Sequence, residues 1–185
     1  MKAKITTGVQ TLHFPRSWTT VSATEGTSTG GYKITSSSCW SGFSIANPVD
    51  DSIPYDFYFA PGSTTGTIEL EFPLPTVLEH IICQNRKDAD NYQFSYGSVQ
   101  SNRGGVWYTV TVFDNSVYQA GGYYDLLNSY SPQDSEASTK WRISIYTMAT
   151  PGGSLAYLGI GGRVLTDIVH PITKSGNNIK MVMEN

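Results

Sequence analysis

The chain has 185 residues, a formal net charge of −3 and a charged fraction of 15%, against about a quarter in an ordinary globular protein. Twelve tyrosines, seven phenylalanines and four tryptophans fill part of that space, and serine, threonine, glycine and asparagine fill the rest. Twelve scattered lysines and arginines on an acidic background weigh against a nucleic-acid face, which needs clustered cations to release counterions. No apolar run reaches the roughly eighteen residues of a membrane-crossing helix, and the length allows a core without a disulfide or metal staple.

The first residues, Met1-Lys2-Ala3-Lys4-Ile5-Thr6-Thr7, carry two lysines with no apolar stretch behind them, unlike a secretory signal. Residues 1–13 lie outside any strand pattern and are expected to form an N-terminal arm. Gly26 to Ser38 is rich in serine, threonine and glycine and reads as an exposed loop. Thr67-Ile68-Glu69-Leu70-Glu71-Phe72 alternates polar and apolar and predicts a strand with Ile68, Leu70 and Phe72 on one face. Pro73 and Pro75 are expected to end it. Val77 to Cys83 is almost continuously apolar, the pattern of a strand buried on both faces. Further strands are predicted over Asn91 to Gly97, Val106 to Phe113, Lys140 to Tyr146 and Ser154 to Leu165. The glycines at 159, 161 and 162 mark a bulge or a close backbone approach in the last. Tyr123 to Ser129 is the most helix-like stretch and is too short to stand alone. Asn128 to Ser138, with Pro132, reads as a second exposed loop. Short strands, glycine and proline turns and little helix predict an all-β sandwich over 14–169, with a C-terminal arm over 170–185.

Few residues carry a chemical signal. No nucleophile elbow, phosphate loop or zinc-helix motif is present. Cys39 and Cys83, with His13, His80 and His170, show no metal-ligand spacing. The two cysteines are either buried thiols or a bonded pair. Glu69 and Glu71 share a strand face about 7 Å apart, a glycosidase-like separation, but a solvent-facing pair explains them more simply, and no enzyme is expected. Trp107 and Trp141 sit in strong strand patterns and are expected in the core. Trp40 is either a core ring or an exposed stacking platform. Tyr118, Tyr123 and Tyr124 flank Gly121-Gly122, an aromatic-rich loop suited to binding or to an interface.

The order of the later strands resembles a known family. Ile68 to Phe72, Val77 to Arg86, Tyr92 to Gly97, Trp107, Arg142-Ile143-Ser144-Ile145-Tyr146 and Leu155 to Leu165 are similar to successive strands of the discoidin, or coagulation factor 5/8 type C, domains. These are galactose-binding-like jelly rolls, and they include carbohydrate-binding modules and fucose-binding lectins. The resemblance covers Trp18 to Leu165 and is clearest from Gly66 onward. It departs in lacking the pair of cysteines that frames extracellular members. It implies a jelly-roll β-sandwich that binds through its loops. By the same resemblance, Arg86 and Asn91 correspond to polar residues that grip sugar hydroxyls, with an aromatic ring beside them to stack on the sugar. A calcium ion, where such domains hold one, uses carbonyls and an acidic residue of an early loop, for which Asp50 and Asp51 are the candidates.

Taken together, the low charge, the aromatic and hydroxyl-rich composition and the flanking arms point to a non-catalytic virion protein of a bacteriophage. It would be a tail, fibre or capsid-decoration subunit, assembled in the host cytoplasm with other virion subunits or as a homo-oligomer. It would touch a host-surface glycan or protein and neither bind nucleic acid nor enter a membrane. The alternative is a free-standing carbohydrate-binding module or lectin, placed extracellularly. Candidate binding residues are Arg86, Asn91, Trp40, Tyr118, Tyr123 and Tyr124, with no cofactor assigned.

Overall fold

Alternating side chains give each segment one greasy face, and such segments are stable only when two sheets close over a shared interior. The computed structural model of the chain, which describes residues 4–52, 56–84, 94–114, 122–127, 130–148, 152–170, 172–175 and 178–181, has that arrangement. The strands are β1 (Lys4–Thr11), β2 (Thr19–Ser22), β3 (Glu25–Ser28), β4 (Tyr32–Ser36), β5 (Phe57–Tyr58), β6 (Gly66–Gln84), β7 (Phe94–Arg103), β8 (Val106–Asp114), β9 (Tyr123–Asp125), β10 (Ser138–Met148), β11 (Ser154–Leu155), β12 (Tyr157–His170), β13 (Ile172–Ser175) and β14 (Asn178–Met181). Among the described residues the helical content is two 3₁₀ turns, Asn47–Val49 and Asp134–Glu136. All pairings are antiparallel.

One strand builds both layers. The first part of β6 lies between β4 and β10 in the order β2-β3-β4-β6-β10-β7-β8, and its last part pairs with β12 and β9. The prolines therefore do not end this strand, contrary to the sequence expectation. Pro73, Leu74 and Pro75 are exposed and unpaired at the corner where β6 leaves one layer for the other. A missing N–H costs nothing where no ladder bond is made. Beyond the corner the strand is not buried on both faces either. Val77, Leu78, Ile81 and Cys83 are inside, while His80 is exposed.

Trp141, Ile143 and Ile145 of β10 are buried against Ile68, Leu70 and Phe72 of β6, with Val99, Ile34, Leu78, Ile81 and Leu158 in the same core. Each such aliphatic side chain contributes about 1.5–3 kcal/mol by leaving water. The buried indole of Trp141 donates to the Thr76 carbonyl at the corner, 3.0 Å away, which removes its one polar liability.

Two other expectations change. Gly26 to Ser38 is not a loop: β3 and β4 form a hairpin there that extends the sheet through the pairing of β4 with β6. Its polar composition hides one anchor, Ile34, which is fully buried. Tyr123–Asp125 is a short strand rather than a helical turn, followed by the buried Leu126 and Leu127. The glycine cluster behaves as expected. The register slips between Gly161 and Gly162 so that Glu79 is an extra residue on β6, and a Cβ on Gly162 would stand 2.2 Å from the Val77 carbonyl oxygen. β1 runs antiparallel to Arg163–His170, and β13 pairs with β14.

Candidate binding rim

Consecutive backbone pairings carry one strip across the end of the sandwich. Trp40 donates its N–H to the Tyr58 carbonyl. Tyr58 pairs with Ser154, and Ala156 donates to the Gln84 carbonyl. Gln84 in turn lies opposite both Tyr157 and Tyr123. Aromatic rings follow this strip. Trp40 is 40% exposed and meets Phe43 and Tyr58 edge-on, with centroids 6.4 and 5.9 Å away. Tyr123 is 65% exposed, and its ring stands 6.0 Å from that of Tyr157. Tyr124, on the opposite face of β9, packs against the core.

Arg16 braces the Tyr157 end. Its guanidinium lies 4.6 Å from the Tyr157 ring centroid, donates to the Leu158 carbonyl at 2.9 Å, and is held by Asp51 through Nε at 2.8 Å and Nη2 at 2.5 Å. The neighbouring Asp50 is buried. One oxygen accepts the Trp18 N–H at 2.5 Å, and the other accepts the Ser52 N–H at 2.8 Å and the Ser52 hydroxyl at 2.6 Å. Burial alone would raise the Asp50 pKa, but the Ser52 and Trp18 hydrogen bonds and the Arg16 charge outweigh it and hold it below the ordinary value. Asp50 thus commits both oxygens to Trp18 and Ser52, whereas Arg16 takes one oxygen of Asp51. Among the described residues no group of three or more His, Cys, Asp or Glu is placed to hold a metal ion through side chains alone.

The sequence-derived site residues divide accordingly. Trp40 and Tyr123 are exposed on the rim, and Tyr124 supports it from the core side. Arg86, Asn91 and Tyr118 lie outside the described residues. Sequence reasoning missed Arg16 and Tyr157, which only the packing joins. Trp107 departs from its expected place in the core. The pairing of β7 with β8 slips at Val110, so that Gln100 lies opposite Thr109 and Asn102 opposite Trp107. One extra residue swaps the faces of everything beyond it. Trp107 is consequently half-exposed, with the Arg142 guanidinium 4.3 Å from its ring centroid.

The groups with catalytic potential are engaged elsewhere. Glu71 pairs with Lys140 at 3.3 Å and Glu69 with Arg142 at 3.8 Å. His80 Nδ1 lies 2.7 Å from Asp125, whose other oxygen accepts the N–H groups of Ile81 and Leu127. The cysteines are not bonded to each other. Cys83 is fully buried and Cys39 partly so, and burial raises both thiol pKa values, that of Cys39 to about 11.

No family model matches the chain, and no curated protein matches it. Solved structures do. A family 32 carbohydrate-binding module of Clostridium perfringens NanJ, solved with galactose, is 10% identical with a TM-score of 0.57, over 71% of this chain and 93% of its own. A C. perfringens module solved with GalNAc-β-1,3-galactose is 13% identical with a TM-score of 0.56, over 70% and 94%. Chitosan-binding module 1 of a Paenibacillus chitosanase/glucanase is 22% identical with a TM-score of 0.52, over 69% and 92%. The fold is the galactose-binding-like jelly roll. In this jelly roll the aromatic strip occupies the end where β6 finishes and β12 begins, and Gln84 and Phe94 bound the segment that contains Arg86 and Asn91.

Proposed function

We propose that the chain is a non-catalytic carbohydrate-binding module that takes sugars at this rim. The observation that carries the reading is the pair of exposed rings, Trp40 and Tyr123, held on a continuous backbone strip in a fold shared with glycan-bound modules. Sugars present an apolar ring face and a polar circumference. Stiff aromatics stack on the first, and forked donors grip the second. Tyr123, Tyr157 and Arg16 form a preorganised stack, so little side-chain freedom remains to be lost on binding. Arg86 and Asn91, by resemblance, would supply the polar contacts. The likeness to carbohydrate-binding modules favours this reading over the virion attachment suggested by composition.

Calorimetric titration with galactose, N-acetylgalactosamine and chitosan oligosaccharides tests the reading. Binding by at least one sugar is expected, weakened about tenfold, or 1.4 kcal/mol, by Trp40→Ala or Tyr123→Ala. Absence of binding across a glycan array, or turnover of any bound sugar, would overturn it.

A further inference from the structure

The outer face of the first layer carries a second cluster of ordered polar groups and exposed rings. Where β6 and β10 run side by side, a shallow groove of about 400 Å³ is lined by Ser37, Thr67, Arg142, Ser144 and Tyr146. Its polar groups are ordered before any ligand arrives. The side-chain oxygen of Gln100 accepts Arg142 Nε at 2.9 Å, Arg142 Nη2 at 2.7 Å and the Ser144 hydroxyl at 3.0 Å. Arg142 Nη1 stands 3.8 Å from Glu69, too far for a hydrogen bond but a gap that one hydroxyl can bridge, accepting from the guanidinium and donating to the carboxylate.

Two aromatic rings share this face, Tyr146 in the groove and Trp107 beside Arg142. The slip at Val110 brings Trp107 to the outer face. A second slip, between Ile145 and Thr147, leaves Tyr146 unpaired on β10, where plain alternation with Arg142 and Ser144 already faces it outward. There its hydroxyl meets Ser98 at 2.7 Å and its ring lies 5.7 Å from that of Tyr96. Bulges that redirect side chains gather at binding sites. Arg142 and Tyr146 are four residues apart on β10, or about 13 Å. That is the length of a short chain of sugars rather than of one ring.

We propose that this face binds an extended, neutral, β-linked oligosaccharide along β10, independently of the rim. The charge on the face selects against other occupants. Lys33, Lys140 and Arg142 are balanced by Glu25, Glu71 and Glu69 in ion pairs, so neither a nucleic acid nor a strongly charged peptide finds a complementary field. Hydroxyl and amide groups flanked by rings suit a polyol whose two edges differ in polarity.

The test titrates the chain with cellohexaose, xylohexaose and chitohexaose and their disaccharides, in the wild type and in Tyr123→Ala, which weakens the rim about tenfold. At least one hexasaccharide should bind about tenfold tighter than its disaccharide, equally in both proteins. Trp107→Ala and Gln100→Ala should each lose about tenfold, with unchanged circular dichroism. Amide shifts in the wild type should map to β7, β8 and β10, which checks the site without any substitution. Failure of all three hexasaccharides to bind would overturn the proposal. So would shifts confined to the rim, or a monomer–dimer equilibrium abolished by Trp107→Ala, which would make the face a self-association surface. Because the hexasaccharide is read in the rim variant, loss of rim binding and loss of face binding are separate outcomes.

Discussion

Asp50 shows how much one side chain can organise. It satisfies the backbone of two segments, at Trp18 and at Ser52, and its neighbour Asp51 fixes Arg16, which in turn holds Tyr157. Replacing a buried acceptor leaves donors stranded, at about 1–3 kcal/mol. Asp50→Asn should therefore lower the urea midpoint at pH 7. The carboxylate pKa is depressed by folding, so its stabilisation is complete above the unfolded value of about 3.9 and is lost as pH falls through the lower folded value. The stability gap between wild type and Asp50→Asn should narrow progressively below about pH 4, and urea titrations at pH 7 and pH 3 would show whether it does. The cysteines give a second residue-scale outcome. With both thiol pKa values raised by burial, a thiol reagent at pH 8 should label Cys39 slowly and Cys83 only after unfolding.

At the scale of elements, the controlling features are interruptions of regular pairing. The corner at Pro73–Pro75 lets one strand serve two layers, and the slip at Gly162 lets β12 follow the bent half of β6. Backbone contact at Gly162 leaves no room for a methyl group, whereas a Cβ on Gly161 would meet His80 side-chain atoms at 3.4 Å, an ordinary contact. Gly162→Ala should cost about 1–3 kcal/mol through overpacking. Gly161→Ala should stay within about 0.5 kcal/mol of wild type. Comparing their melting temperatures isolates the close approach from general glycine chemistry. The bulge at Val110 acts in the same way on function, by turning the Trp107 ring toward solvent.

For the molecule as a whole, Tyr123 belongs to the layer built on the end of β6, and Trp107 to the far edge of the other layer. Tyr123 packs on Tyr157 and Trp107 on Arg142, on separate layers, so their substitutions should add. Tyr123→Ala combined with Trp107→Ala should change folding stability by the sum of the single changes, within about 0.5 kcal/mol. A larger departure in denaturant titrations would mean that the two faces communicate through the core.

The strands legible in the sequence were those with strict alternation. Ile68, Leu70 and Phe72, and Trp141, Ile143 and Ile145, point inward as their spacing predicts, because burial on one face imposes a two-residue period on any strand. Hence the all-β class and the part of the core between β6 and β10 followed from residue order alone. The β3–β4 hairpin did not, since its stability comes from ladder bonds and from the single buried Ile34, which leave little mark on composition. Of the candidate site, exposed Trp40 and Tyr123 were legible as aromatics beside glycine and serine, but Arg16 and Tyr157 are brought together from 141 positions apart. The facing of Trp107 depends on a single extra residue in the ladder. A bulge costs only local hydrogen bonds and can fall at several places along a strand, so the partner strands, not the local residues, decide where it sits.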